Sequence, residues 1–171
     1  MKPLESDEKL VPVMVYTPTM LVHGEYVAKE SVRVSILLRT QGVPNYLHLH
    51  KAHVIVFGGT PPKTLSFTEI YVPTPSLIAF HLVPPVQDIM DYDSSEANRV
   101  MQPMDMLVGT FQFKGHVRMS AATAVDVSLE VMRISWLSVY DTQITNPYLP
   151  QFNLQVPLLV ISPTLVSLAL A

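Results

Sequence analysis

Three of the six histidines of this 171-residue chain fall within seven residues, LHLHKAH, from Leu47 to His53. Imidazole is the commonest metal ligand among side chains and ordinarily titrates close to neutrality, so this stretch is where chemistry is to be sought first. In a β-strand alternate side chains share a face. His48 and His50 are then expected on one side, about 7 Å apart, with His53 on the other unless a bulge intervenes. Two imidazoles begin a zinc site without completing it, because zinc takes three or four protein ligands. The chain has no cysteine, and no carboxylate stands nearby in sequence. His23, His81 or His116 can join only through folding. The favoured reading is a strand whose polar face carries histidines. His48 and His50 are the candidate metal ligands, and no metal or other cofactor is assigned.

Other reactive patterns are missing. No nucleophile elbow, Walker loop or GxGxxG occurs. The lack of cysteine removes thiolate chemistry and disulfides. FGGTPPK (57–63) offers adjacent glycines and a lysine, but no helix start follows them to complete a phosphate cradle, so it reads as a hairpin loop. No catalytic residue is assigned, and the chain is expected not to be an enzyme. Trp136 and Tyr140 read as core or interface aromatics and are candidate partner contacts. His53 joins them as a partner-contact candidate.

The elements that must position these residues are short. Fifteen prolines in the chain argue against long helices. YLHLHKAHVIVF, LSFTEIYV, SLIAFHLV, VMRISWLSVY, FNLQVPLLVI and TLVSLAL read as strands, and so do SVRVSILL and HVRMS. Proline and glycine clusters separate them: QGVPN, FGGTPPK, VPTP and ITNPYLP. A turn or two of helix is expected within 34–41 or 120–126.

The sequence also resembles itself. VYTPTMLVHGEYVAKESVRVS (15–35) aligns without a gap on VMQPMDMLVGTFQFKGHVRMS (100–120), matching Pro18 with Pro103, Gly24 with Gly109 and VRVS with VRMS. In the same register His48, His50 and His53 fall on Arg133, Ser135 and Ser138. Alternation persists there, but the ligand chemistry does not. This predicts a tandem duplication: a tail at 1–12, a first unit at 13–83, an acidic linker at 84–99 and a second unit at 100–171. The linker PPVQDIMDYDSSEANR reads as solvated. Arg33 and Arg118 occupy matching places in the two units. Each either closes its unit by bonding carbonyls or a carboxylate, or offers a repeated partner contact.

The fold expected is therefore all-β, as two tandemly repeated small antiparallel barrels or sandwiches. With Val22, Gly24, Arg33, Ser35, Leu49 and Val54 in the first unit, and Leu107, Gly109, Arg118, Ser120, Ile134 and Val139 in the second, each unit resembles an Sm-like small barrel. It is similar also to small bacterial domains with a V-x-G…R-x-S…L…V pattern. The Sm-like resemblance implies RNA binding and assembly into rings. The Asp–Met–Asn-like and Arg–Gly loops that hold RNA in that family do not occur here, and a net charge of −3 disfavours nucleic acid.

Charged residues make up 15% of the chain and hydrophobic ones 49%. Two small units have little interior in which to hide so much apolar sequence. The surplus points to a subunit interface, and strand edges supply a means of pairing. The expected function is that of a structural subunit, a homo-oligomer or part of a larger complex, in which contact with a membrane protein is one option. A nucleic-acid module and a histidine-based metal-binding protein are the alternatives. Pro157 and Pro163 interrupt the apolar C-terminus, so no transmembrane helix is expected. The N-terminal MKPLESDEKL lacks an apolar signal core, which predicts a cytoplasmic protein.

Overall fold

Alternating apolar and polar residues between turn clusters build strands throughout the protein. The computed structural model describes residues 4–40, 42–131 and 136–170. Its strands are β1 (Glu8–Tyr16), β2 (Met20–Lys29), β3 (Tyr46–Val56), β4 (Lys63–Pro73), β5 (Ala79–Leu82), β6 (Arg99–Val108), β7 (Phe111–Ser120), β8 (Leu137–Thr145), β9 (Asn153–Ile161) and β10 (Ser167–Leu170). Two 3-10 helices, Val34–Arg39 and Thr74–Ser76, and one short helix α1, Val125–Val131, complete the described elements. The class is all-β, as the strand and turn pattern predicts.

The architecture differs from the two barrels expected. All ten strands form one antiparallel sheet in the order β10-β6-β7-β8-β9-β5-β1-β2-β3-β4. The sheet is open, with β10 and β4 at its edges. Each half has the same order of connection: β5-β1-β2-β3-β4, then β10-β6-β7-β8-β9. Neither half closes on itself, because β5 pairs outward with β9, Ala79 opposite Ile161 and His81 opposite Leu159.

Burial follows from that junction. Successive side chains of a strand point to opposite faces, and in β1 both faces are covered. Val13 and Val15 enter one apolar cluster with Leu47, Leu49, Val54, Phe80 and Val160. Met14 and Tyr16 enter another with Met106, Phe113, Val139 and Leu159. The two clusters therefore lie on opposite faces of the middle strands β9, β5 and β1. Fully burying one such side chain contributes roughly 1.5–3 kcal/mol. β1, whose last four residues are all buried, accordingly anchors the sheet far more than β4, which buries only Val72.

Two readings of the sequence change in the structure. SVRVSILL does not form a strand; the helical turn expected within 34–41 forms there instead, as the 3-10 helix Val34–Arg39, which buries Val34, Leu37 and Leu38, an i, i+3, i+4 spacing that suits a helical face. VRMS (117–120), by contrast, lies in β7. The pairing of VRVS with VRMS is thus not an equivalence of place. By place, Gly24 answers to Gly115. Each lies at a register shift, between His23 and Glu25 in one half and between Lys114 and His116 in the other. A Cβ on Gly24 would stand 3.0 Å from Leu49 Cβ and 3.1 Å from the His50 carbonyl oxygen; on Gly115 it would stand 2.9 Å from Val139 Cγ1 and 3.1 Å from the Tyr140 carbonyl oxygen. Met132, Arg133, Ile134 and Ser135, read as part of a strand, lie outside the described residues.

Candidate functional site

The β3 strand carries the histidines, and a bulge decides where they point. Lys51 has a left-handed backbone, φ 48°, and the β2–β3 register shifts beside it. Leu47 and Leu49 before it and Ala52 and Val54 after it all enter the same core. The parity of the strand has slipped by one residue, so His48, His50 and His53 all lie on the face opposite that core. The expected opposition of His53 to the other two is thus removed by the bulge.

The short hairpin after β3 then supplies what sequence proximity could not. β4 runs back so that Tyr71 stands opposite His48 and Glu69 opposite His50. His48 Nε2 donates to Glu69 Oε2 at 3.0 Å. His50 Nδ1 lies 3.5 Å from Glu69 Oε1. The Tyr71 ring stacks on the His48 imidazole, 4.2 Å between centroids and 10° between planes. The two imidazoles are 4.3 Å apart. The hydrogen bond from His48, with the two imidazoles nearby, holds the Glu69 carboxyl below its usual range. His50 is buried, 7% exposed. One potential ligand atom each from His48, His50 and Glu69 lies within 4.8 Å of the others.

His53 forms a separate pair. Its ring is stacked 6.2 Å from that of His23, and its Nδ1 is 3.1 Å from Ser66 Oγ. Burial, together with the neighbouring His53, keeps the His23 pKa below the ordinary value. His81 lies far deeper. Its Nδ1 donates to the Leu82 carbonyl at 2.7 Å, leaving Nε2 to accept from the Tyr16 hydroxyl at 3.0 Å. Complete burial lowers its pKa to about 4.

The remaining candidates are placed by the connection between β5 and β6. Most of its residues are exposed, but several of its polar groups are docked on the sheet. Asp91, its side chain only 5% exposed, accepts from Ser138 Oγ at 2.6 Å, from Tyr140 Oη at 2.8 Å and from Arg39. Asp88 accepts from the Ser35 amide at 2.9 Å. Arg33 donates to the Ile89 carbonyl. Arg118 donates to Glu96 at 2.7 Å and to the Asp93 carbonyl at 2.5 Å, and stacks over Tyr92. The acidic run is thus docked by Arg33, Arg39 and Arg118 and by Ser138 and Tyr140 of β8. Of the two places open to the paired aromatics, core or interface, both take the core. Trp136 is 8% exposed within the first core, and Tyr140 is 5% exposed beneath Tyr92. Neither presents a free ring for a partner. Burial and the Asp91 carboxylate push the Tyr140 phenol well above its ordinary pKa.

Glu69 and Asp91 are the residues that the sequence reading missed. Glu69 was legible in principle: FGGTPPK is a hairpin loop, and folding LSFTEIYV back along LHLHKAH brings Glu69 beside His50. Asp91 had no such signal. No helix of the described residues is long and apolar enough to cross a membrane. Comparison of the chain with protein families, with curated proteins and with solved structures finds no match.

Proposed function

We infer that the protein is a non-enzymatic assembly subunit, arisen by duplication, whose copies join head to tail through their sheet edges. The observation that carries this reading is the internal junction. β9 of the second half pairs with β5 of the first. By place in the sheet, β9 answers to β4 and β5 answers to β10. The free edges of the chain, β4 and β10, are thus counterparts of the two strands already joined inside it. A β4 edge meeting the β10 edge of the next copy repeats the internal junction. Such a contact is heterologous, so it propagates into a ring or a filament.

Three features support the reading. β4 is an edge of eleven residues with Leu65 45%, Phe67 44% and Tyr71 58% exposed, an edge of the kind that pairs with another chain. On β10, Leu170 is 62% exposed. The helices follow the same logic. The first 3-10 helix packs on β9 across the internal junction and buries Val34, Leu37 and Leu38. Among the described residues its counterpart α1 packs mainly on β7 and leaves Val127 47% exposed. Arg39 of the former reaches Ser138 of β8 at 2.6 Å. At Arg39's place α1 carries Glu130, and the matching face of β3 carries the His48 and His50 imidazoles.

The correspondence implies a register for the proposed contact. Phe80 faces Val160 inside the chain. Val13–Leu82 matches Met104–Leu170, and Leu47–Val72 matches Leu137–Ile161. Tyr71 should therefore face Leu168 of the next copy. The chain has no cysteine, so Tyr71→Cys and Leu168→Cys proteins, mixed and treated with a short bis-thiol reagent, should give a crosslinked heterodimer in preference to either homodimer. Light scattering of the unmodified chain should show mass above one chain that grows with concentration or closes at a defined ring. A monomer at every concentration, or crosslinking only within Tyr71→Cys, removes the head-to-tail reading.

A further inference from the structure

We propose that His48, His50 and Glu69 form a site for a divalent transition-metal ion, with zinc the natural occupant, bound through His48 Nε2, His50 Nδ1 and the Glu69 carboxylate. Three observations converge on it, and none depends on whether copies assemble.

The first is geometry. Around a tetrahedral zinc with bonds near 2.0–2.2 Å, ligand atoms stand about 3.4 Å from one another. Here the nitrogen–oxygen separations are 3.0 Å from His48 and 3.5 Å from His50, and the whole set lies within 4.8 Å. Both nitrogen–oxygen separations thus already lie within about 0.5 Å of the spacing in a tetrahedral zinc shell.

The second is an orphaned atom. His50 is more than nine-tenths buried, and its Nδ1 has no hydrogen-bond partner among the described residues. That nitrogen faces the Glu69 carboxylate at 3.5 Å, outside hydrogen-bond geometry. A buried polar atom left without a partner costs roughly 1–3 kcal/mol, and native proteins seldom leave one without a reason. An ion between the two groups would give the His50 nitrogen its partner.

The third is orientation. The stacked Tyr71 ring fixes the plane of the His48 imidazole, and the paired strands β3 and β4 fix the spacing of all three side chains. The site is built on strands and not on a loop, so its geometry is preorganised. Histidine and carboxylate donors suit zinc, and three protein ligands leave the fourth position open to water. The other histidine pair on this face is a built-in comparison. His23 and His53 are farther apart, and His53 is already engaged by Ser66.

The test uses the full untagged chain, stripped with chelator, then titrated with zinc chloride by calorimetry and with cobalt(II) chloride by visible absorption. The expected result is one ion per chain, proton release on binding and a tetrahedral cobalt spectrum. Glu69→Gln preserves shape and should weaken zinc by more than about a hundredfold, beyond the loss seen for an outer-shell partner. His50→Ala should do the same, with folding verified by circular dichroism. His53→Ala should leave affinity within about threefold, less than even an outer-shell loss. Absence of saturable binding, unchanged affinity in both Glu69→Gln and His50→Ala, or loss in His53→Ala would each overturn the proposal.

Discussion

Acidification should destabilise this protein through one buried histidine, and the size of the effect can be worked out. His81 is fully buried on β5, its Nδ1–H held by the Leu82 carbonyl and its Nε2 accepting from Tyr16. Protonating Nε2 would bury a charge away from water, so the folded pKa falls to about 4 from 6.5. The folded pKa of this base is depressed. Between those values the unfolded chain binds a proton that the folded chain does not, so stability is complete above pH 6.5 and declines as pH falls toward 4. Each unit is worth 1.36 kcal/mol. The loss is about 2 kcal/mol at pH 5 and about 3 kcal/mol once pH 4 is reached. Against a typical total of roughly 5–15 kcal/mol that is a large fraction. The assay is urea unfolding at pH 7.5 and pH 5, on the wild type and on Tyr16→Phe/His81→Leu. The double variant removes donor and acceptor together, which limits the penalty of an orphaned group. His23 and other groups that titrate in this window act in both proteins and cancel in the comparison. The wild type should lose about 2 kcal/mol more than the variant between the two pH values. Equal losses, or a larger loss in the variant, would refute the reasoning.

Other outcomes follow from close packing and from the docked connection. Gly115→Ala places a Cβ 2.5 Å from Thr142 Oγ1 and 2.9 Å from Val139 Cγ1, and thermal unfolding should show a loss of about 1–3 kcal/mol. Gly42→Ala meets nothing within 4 Å but sits at φ 82°, so its smaller cost, about 1 kcal/mol, should come from backbone strain alone. Asp91→Ala leaves Arg39, Ser138 and Tyr140 without their shared acceptor and should cost about 3 kcal/mol in urea unfolding. It should also open residues 83–98 to protease. Tyr140→Phe removes one of those bonds and should cost about 1 kcal/mol, with the connection still protected.

Much of the local structure was readable from residue order. The two-residue alternation in LHLHKAHVIVF and FNLQVPLLVI is a property of neighbours along the chain, and β3 and β9 form there. Proline and glycine clusters placed the turns for the same reason, since their backbone limits are local. The all-β class followed from these elements. The candidate site was half visible: His48 and His50 stand out in any reading, and Glu69 is one hairpin away.

Tertiary structure decided the rest, and in each case through contacts between distant residues. The bulge at Lys51 reversed the parity of β3 and brought His53 to the face of His48 and His50, because Gly24 of β2 must approach the strand there. SVRVSILL has the composition of a strand, yet it forms a helical turn because the open end of a core needed Val34, Leu37 and Leu38. Trp136 is buried in the first core, and the Asp91 side chain is enclosed where the connection meets β8; both placements rest on residues far away in sequence. Above all, β5 joined β9 instead of closing its own half. Alternation states that a strand has two faces, but it carries no label for the neighbour at its edge. That choice rests on the summed burial of both halves, which no single segment contains.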